Sequence, residues 1–200
     1  MVKAQRVASI LVILSLVLAL GVLAPPAAVK VAADPAQWDV YSGDSIQTAI
    51  DAAAPGDTII VHPGTYEEAL TIEKSLTVIS SDGAAETIID WFDYPSTSVT
   101  ISLSDSETVV FGAAGAGFNV LDADNGIDVT AEYWSSVTIE GNTITNSNYA
   151  LYVYAVRYFS DLTFAGNTIA RAWYSGIYCY SDSVQYHSSV DFTDNTITDC

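Results

Sequence analysis

The chain has 200 residues, half of them apolar, and sets 24 Asp and Glu against 6 Lys and Arg for a formal charge of −18. That length supports one domain with a substantial core, and the acidity excludes nucleic acid and anionic lipid as partners while suiting cations or high ionic strength. Its two cysteines, Cys179 and Cys200, are too few for a disulfide framework, and their spacing does not demand a bridge.

Residues 1–33 read as an export signal. Lys3 and Arg6 form a basic start, Ile10–Leu23 is apolar apart from Ser15 and Gly21, and Val31-Ala32-Ala33 offers a small-residue cleavage site. The uncharged run 7–29 is also long enough for an uncleaved membrane anchor with its basic end in the cytoplasm. Under either reading the remainder is secreted or held on the cell surface. Lys3, Arg6 and Lys30 all precede Asp34, the first acid, so the exported part is more acidic than the whole.

Residues 34–56 read as a linker and an N-terminal capping helix. Over Gly43–Ala54, Ile46, Ala49, Ile50 and Ala53 share one helical face, Asp44 or Ser45 can cap the start, and Pro55-Gly56 ends it. The helix is expected to cover the apolar end of a stacked structure. Asp57–Val61 reads as the first strand, with a turn at Pro63-Gly64-Thr65-Tyr66 and strands at Leu70–Ile72 and Leu76–Ile79. His62, beside Pro63, reads as a turn residue. Thr87–Asp90, Val99–Ile101 and Val109–Phe111 continue the strands, and Ala113–Ala116 reads as an insertion in a turn.

The last third repeats itself. Val137-Thr138-Ile139-Glu140-Gly141-Asn142-Thr143-Ile144 returns as Leu162–Ile169 and again as Val190–Ile197, with Asn142, Asn167 and Asn195 spaced by 25 and 28 residues. Such a period marks stacked coils. Each copy alternates as short strands do, and the variable spacing belongs to loops, because one extra strand residue would turn every side chain over. A third strand completes each coil at Ile127–Val129, Leu151–Tyr154 and Ile177–Tyr180. Equivalent strands then stack in parallel about 4.8 Å apart with a right-handed crossover. The fold class expected is all-β: a right-handed parallel β-helix over 57–200, three short strands per coil, with a short N-terminal capping helix. The sequence stops at Cys200 before the third strand of its last coil, so a longer natural protein is expected.

The three asparagines read as a structural ladder in tight turns, where Asn tolerates the left-handed conformation and its amide can bond along the column. In the third strand Ile127, Val129, Leu151, Val153, Ile177 and Cys179 point inward, which makes Cys179 a small buried apolar residue. Asp128, Tyr152 and Tyr178 point outward in register, with Thr130, Tyr154 and Tyr180 beside them. Tyr149, Tyr158, Trp173, Tyr174, Tyr186 and His187 flank this face. Two readings stand. Stacked rings can simply stabilise and cover the sheet. Alternatively Tyr152, Tyr154, Tyr178, Tyr180 and Trp173 form a polysaccharide-binding face, because flat rings match the apolar faces of sugars, and Arg157 and Arg171, placed in loops either side of the Tyr152 strand, clamp acidic groups. Asp122, Asp124 and Asp128 offer oxygen ligands for Ca²⁺, although the order is one residue short of a calcium loop and lacks its closing Glu; the bland reading is a solvated turn.

Ser45-Ile46-Gln47-Thr48-Ala49-Ile50, Pro55-Gly56-Asp57-Thr58-Ile59 and Pro63-Gly64-Thr65-Tyr66-Glu67-Glu68 resemble the N-terminal cap and first turn of the pectin-lyase-like superfamily, and the Gly-Asn-Thr-Ile copies resemble its generic coil repeat. That group includes pectin methylesterases, pectate lyases, polysaccharide epimerases and NosD-type carbohydrate-binding or accessory proteins. The resemblance covers most of residues 40–200 and implies the fold, a substrate cleft floored by the third strand, and acidic polysaccharide as the partner. Catalytic residues are not carried over. The Gly-x-x-Asp-Phe-x-x-Gly stretch of the methylesterases and the Asp-Asp and Gly-His-Gly signatures of polygalacturonases are absent. For a lyase the constellation on offer is Asp122, Asp124, Asp128 and Arg157. With His62 and His187 the sole histidines and Met1 the sole methionine, copper handling is disfavoured. Two functions remain in view: binding and processing of acidic polysaccharide, and a non-enzymatic structural or adhesive surface protein.

Overall fold

The structure is a computed structural model that describes residues 34–91, 96–121 and 123–200. Residues 1–33, read above as an export signal or anchor, and Asp122 lie outside those residues. After strand β1 (Gln37–Val40) and helix α1 (Ile46–Ala52), the chain winds in coils of three strands. The first comprises β2 (Thr58–Val61), β3 (Gly64–Tyr66) and β4 (Leu70–Ile72), the second β5 (Leu76–Ser80), β6 (Thr87–Asp90) and β7 (Thr97–Leu103). The third comprises β8 (Thr108–Phe111), β9 (Asn119–Leu121) and β10 (Asn125–Glu132), the fourth β11 (Ser136–Glu140), β12 (Thr143–Thr145) and β13 (Tyr149–Arg157). Then come β14 (Asp161–Ala165), β15 (Thr168–Ala170) and β16 (Ser175–Cys179), and last β17 (Ser189–Thr193) and β18 (Thr196–Thr198). Every pairing is parallel. The strands form a seven-stranded sheet from β1 to β17, a six-stranded sheet from β3 to β18 and a five-stranded sheet from β4 to β16. This is the expected parallel β-helix.

Alternation builds the core. Ile59, Val78, Phe111, Ile139 and Phe164 lie in register on successive strands of the seven-stranded sheet, all fully buried. Val99, Ile127, Leu151 and Ile101, Val129, Val153 do the same in the five-stranded sheet. Each such side chain contributes about 1.5–3 kcal/mol over its exposed state.

The asparagine ladder is present. Asn167 Oδ1 accepts from the Asn142 N–H at 2.9 Å and its Nδ2 at 3.2 Å, while Asn167 Nδ2 donates to Ile139 O at 2.9 Å. Asn195 Oδ1 accepts from Asn167 in the same way. One detail is corrected: the left-handed residue is the one before each asparagine, namely Gly141 (φ 69°), Gly166 (φ 59°) and Asp194 (φ 54°). The asparagine itself turns inward. One coil lower the ladder ends at Phe118, whose N–H donates to Asn142 Oδ1 at 2.9 Å and whose ring stacks on Phe111 at 4.8 Å. The insertion before it fits closely: a Cβ on Gly117 would stand 2.1 Å from Gly141 O.

At the other end the chain differs from expectation. The first strand is β1, before the helix, not β2; Gln37–Val40 pairs with Thr58–Val61. Four residues after Pro35 carry little signal, and the exposed edge of β2 supplies the partner that makes them a strand. Helix α1 is shorter than expected, and Ser45, not Asp44, caps it by accepting from the Thr48 N–H. Glu68 secures the same end, taking hydrogen bonds from Ser45 Oγ (2.8 Å), the Ile46 N–H (2.6 Å) and the Gln47 N–H (3.1 Å). Asp57 is the pin between β1 and the helix end. Trp38 Nε1 and the Ala36 and Ala54 N–H groups donate to its carboxylate and hold it below the usual Asp range.

Cys179 is also corrected. It lies in the inward column, paired with Val153, but is exposed, because β16 is the edge strand of its sheet among the described residues. Phe192 and Ile197, inward on β17 and β18, are exposed for the same reason.

Candidate functional site

The outer face of the five-stranded sheet carries the tyrosines. Asp128, Tyr152 and Tyr178 are Cα partners on β10, β13 and β16, and the Tyr152 and Tyr178 rings stack with centroids 5.0 Å apart. Tyr154 and Tyr180 stack at 5.7 Å. Tyr149 joins the group, 5.6 Å from Tyr152 and 5.1 Å from Tyr178, and meets Tyr174 at 5.7 Å. The pairing of Thr130 with Tyr154 does not occur. The register shifts after Val129, so Thr130 faces Ala155 and Tyr154 is the extra residue of a bulge. Desolvation beneath the ring layer raises the Asp128 carboxyl, and burial raises the Tyr152 phenol.

A second aromatic array was legible only in part, since Tyr158, Tyr186 and His187 were expected beside the tyrosine face but Tyr133, Trp134, Phe159 and the stacking were not. Where β10, β13 and β16 give way to the next coil, Tyr133, Tyr158 and Tyr186 stack at 4.6 and 4.7 Å with planes within 7°. Beside them Trp134, Phe159 and His187 stack at 5.7 and 5.2 Å. All six residues have positive φ. A bulky residue in that region costs roughly 1–2 kcal/mol, and an aromatic pair returns about 0.5–1.5 kcal/mol. With four stacked pairs against six strained residues, the stacks offset only part of the strain of the turn that they decorate. Buried serines hold the turn from inside: the Ser135 N–H donates to Ser160 Oγ at 3.1 Å, and the Ser160 N–H to Ser188 Oγ at 3.0 Å. The signal was available, since Tyr133, Tyr158 and Tyr186 keep the 25 and 28 spacing of the asparagines.

These stacks decide what each ring can do. A ring covered by its neighbours along the axis offers solvent mainly its edge. Trp173 differs: its indole is 81% exposed and stacks on no other ring among the described residues. With Arg171, Ala172, Asn146 and Asp199 it lines an open cleft of about 360 Å³. Asn146, Arg171 and Asp199 are equivalent left-handed corner residues of successive coils. Tyr174, next in sequence to Trp173, links this cleft to the tyrosine face through Tyr149.

The two arginines part company. Arg157 ends β13 rather than lying in a loop. Its guanidinium donates to Asp182 O at 3.2 Å and stands 4.0 Å from Glu132, its register partner. Arg171 lies in a turn and is exposed, and its guanidinium makes no hydrogen bond among the described residues. Two of the three cluster aspartates are described. Asp124 accepts from Asn148 Nδ2 at 2.6 Å and Asp128 faces out from the sheet, while Asp122 lies outside the described residues. Among the described residues no three His, Cys, Asp or Glu side chains converge as a metal cage.

Three parallel sheets wound about one core, an inner asparagine ladder and outward aromatic columns define the class: a parallel β-solenoid. A family profile for the right-handed β-helix region matches residues 87–200. The chain belongs to that right-handed β-helix family. No curated protein matches it in sequence.

Proposed function

We propose that this is an exported β-helix protein that binds polysaccharide across the tyrosine face of its five-stranded sheet, with the Arg171–Trp173 cleft gripping one sugar at the rim. The observation that carries the reading is Trp173: a broad, unstacked aromatic face on the protein surface, with a cation beside it and a tyrosine layer leading away from it. An indole face and pyranose C–H groups stack, and a neighbouring guanidinium suits a uronate carboxylate. Acidic chains are the class proposed, in keeping with the pectin-lyase-like resemblance and its NosD-type and pectin methylesterase-like members. Because Arg157 is engaged with Glu132 and Asp182, Arg171 carries the acidic contact against a strongly negative surface.

The test is titration of uronate-bearing and neutral glycans by calorimetry, with and without calcium. Trp173→Ala and the Tyr152→Ala/Tyr178→Ala pair are expected to weaken binding about tenfold or more, equivalent to ~1.4 kcal/mol. Arg171→Gln is expected to weaken uronate chains selectively. Equal affinity in parent and variants sinks the reading. Absorbance at the unsaturated-product band in the same samples reports any lyase processing.

The second reading, a non-enzymatic structural or adhesive rod, draws on the Tyr133–Tyr158–Tyr186 and Trp134–Phe159–His187 stacks, whose ring faces serve one another. It predicts no saturable glycan binding by the parent.

A further inference from the structure

His62 is not merely a turn residue. At one end of β1, β2 and β5, neighbours in the seven-stranded sheet, the fold gathers Asp39 from within β1 with His62 and Ser81, which directly follow β2 and β5. His62 Nε2 lies 2.9 Å from Asp39 Oδ1, and His62 Nδ1 lies 3.3 Å from Ser81 Oγ. Tyr41 lies flat on the imidazole, 4.2 Å away and within 4° of parallel. Backbone bonds fix both partners: the His62 N–H donates to Val40 O at 2.8 Å, and the Ser81 N–H to Val61 O at 2.9 Å. A nucleophile, a base and a group that orients the base thus stand in line.

We propose that Ser81, His62 and Asp39 form a site for acyl transfer from small neutral carboxylic esters, separate from the tyrosine face. Asp39 is ionised; the hydrogen bond from His62 and another from Gln37 Nε2 hold its carboxyl below the usual range. A carboxylate requires a donor, so Nε2 carries the hydrogen and Nδ1 turns its lone pair to Ser81. Ser81 Oγ attacks the ester carbonyl carbon as Nδ1 takes the hydroxyl proton. The bond from carbon to the alcohol oxygen then breaks, and the alcohol leaves with that proton. Water, deprotonated by Nδ1, adds to the acyl carbon, and cleavage of the bond to Oγ returns a proton to Ser81. The sum is ester plus water to acid plus alcohol.

The backbone N–H of Asp82, directly after the nucleophile, makes no hydrogen bond among the described residues, and it is the donor this proposal assigns to the developing oxyanion. The Asp82 side chain works the other way. It accepts from Ser81 Oγ at 2.5 Å and so competes with His62 for the proton. With Asp82 beside the serine, Asp39 across the imidazole and −18 overall, anionic esters are repelled.

The experiment treats the full chain with a fluorophosphonate, locates the adduct by peptide mass spectrometry, and follows hydrolysis of p-nitrophenyl acetate. The adduct is expected on Ser81. Ser81→Ala is expected to abolish it together with the hydrolysis above background, and His62→Gln to slow both by about 100-fold or more. Asp82→Asn is expected to speed labelling several-fold, a gain that misfolding cannot produce. No adduct on Ser81, hydrolysis unchanged in Ser81→Ala, or slower labelling in Asp82→Asn each overturns the proposal.

Discussion

Asn167→Ala is expected to lower the melting temperature by roughly 10 °C. Asn167 is buried in the middle of the ladder and acts in both directions. Its removal takes the acceptor from the Asn142 N–H and the donor from Ile139 O, while Asn142 Nδ2 keeps Phe111 O and Glu140 O. Buried polar groups left without partners cost about 1–3 kcal/mol each, so the loss is about 3–5 kcal/mol. For a domain of this size each kcal/mol moves the midpoint by roughly 2–4 °C. Asn167→Asp keeps the acceptor but loses the donor and buries a charge, so it rescues nothing. Asn195→Ala, in the less buried last turn, is expected to cost less than Asn167→Ala. Melting followed by circular dichroism orders the three.

Phe164→Ala is the second large effect, about 3–5 kcal/mol. Phe164 is fully buried, with Ile139 below it in register and the Phe192 ring 6.1 Å above. The coils on either side are held by their own hydrogen-bonded strands and cannot collapse onto the space it leaves. Phe192 occupies the same column but is 42% exposed. Phe192→Ala is therefore expected to shift the urea midpoint by much less. Comparable shifts for the two would mean that the column is not ordered as described.

The coil architecture was legible because three octapeptides repeat with their polar and apolar positions intact. A one-residue slip would have exposed Ile139, Phe164 and their equivalents. The ladder was legible for the same reason, yet its left-handed position was misplaced by one. Asn and Gly share the taste for that conformation, and the amide's inward bonds are visible only in three dimensions. Cys179 shows the limit of column reasoning: alternation gives the direction of a side chain, and a neighbouring strand must supply its cover. The bulge at Tyr154 was hidden because one added residue in a nine-residue strand leaves the alternation of Leu151 and Val153 untouched. At the site, the tyrosine face followed from that alternation. The corner stacks did not, because they sit in turns, where a repeat of residue type rather than an alternating pattern is the signal. The approach of Ser81 to His62 depends on which strands become neighbours and had no local signature.

Nitration of the folded protein with tetranitromethane, mapped by peptide mass spectrometry, tests the central claim most directly: that the coil register turns aliphatic side chains to the axis and the tyrosine face to solvent. Tyr154 and Tyr174, at 52% and 72% exposure, and Tyr186 in the corner stack are expected to react readily, whereas Tyr66, at 3%, stays unmodified until the protein unfolds. Protection of Tyr154 and Tyr174, or early nitration of Tyr66, would contradict the register and with it the surface proposed to hold polysaccharide.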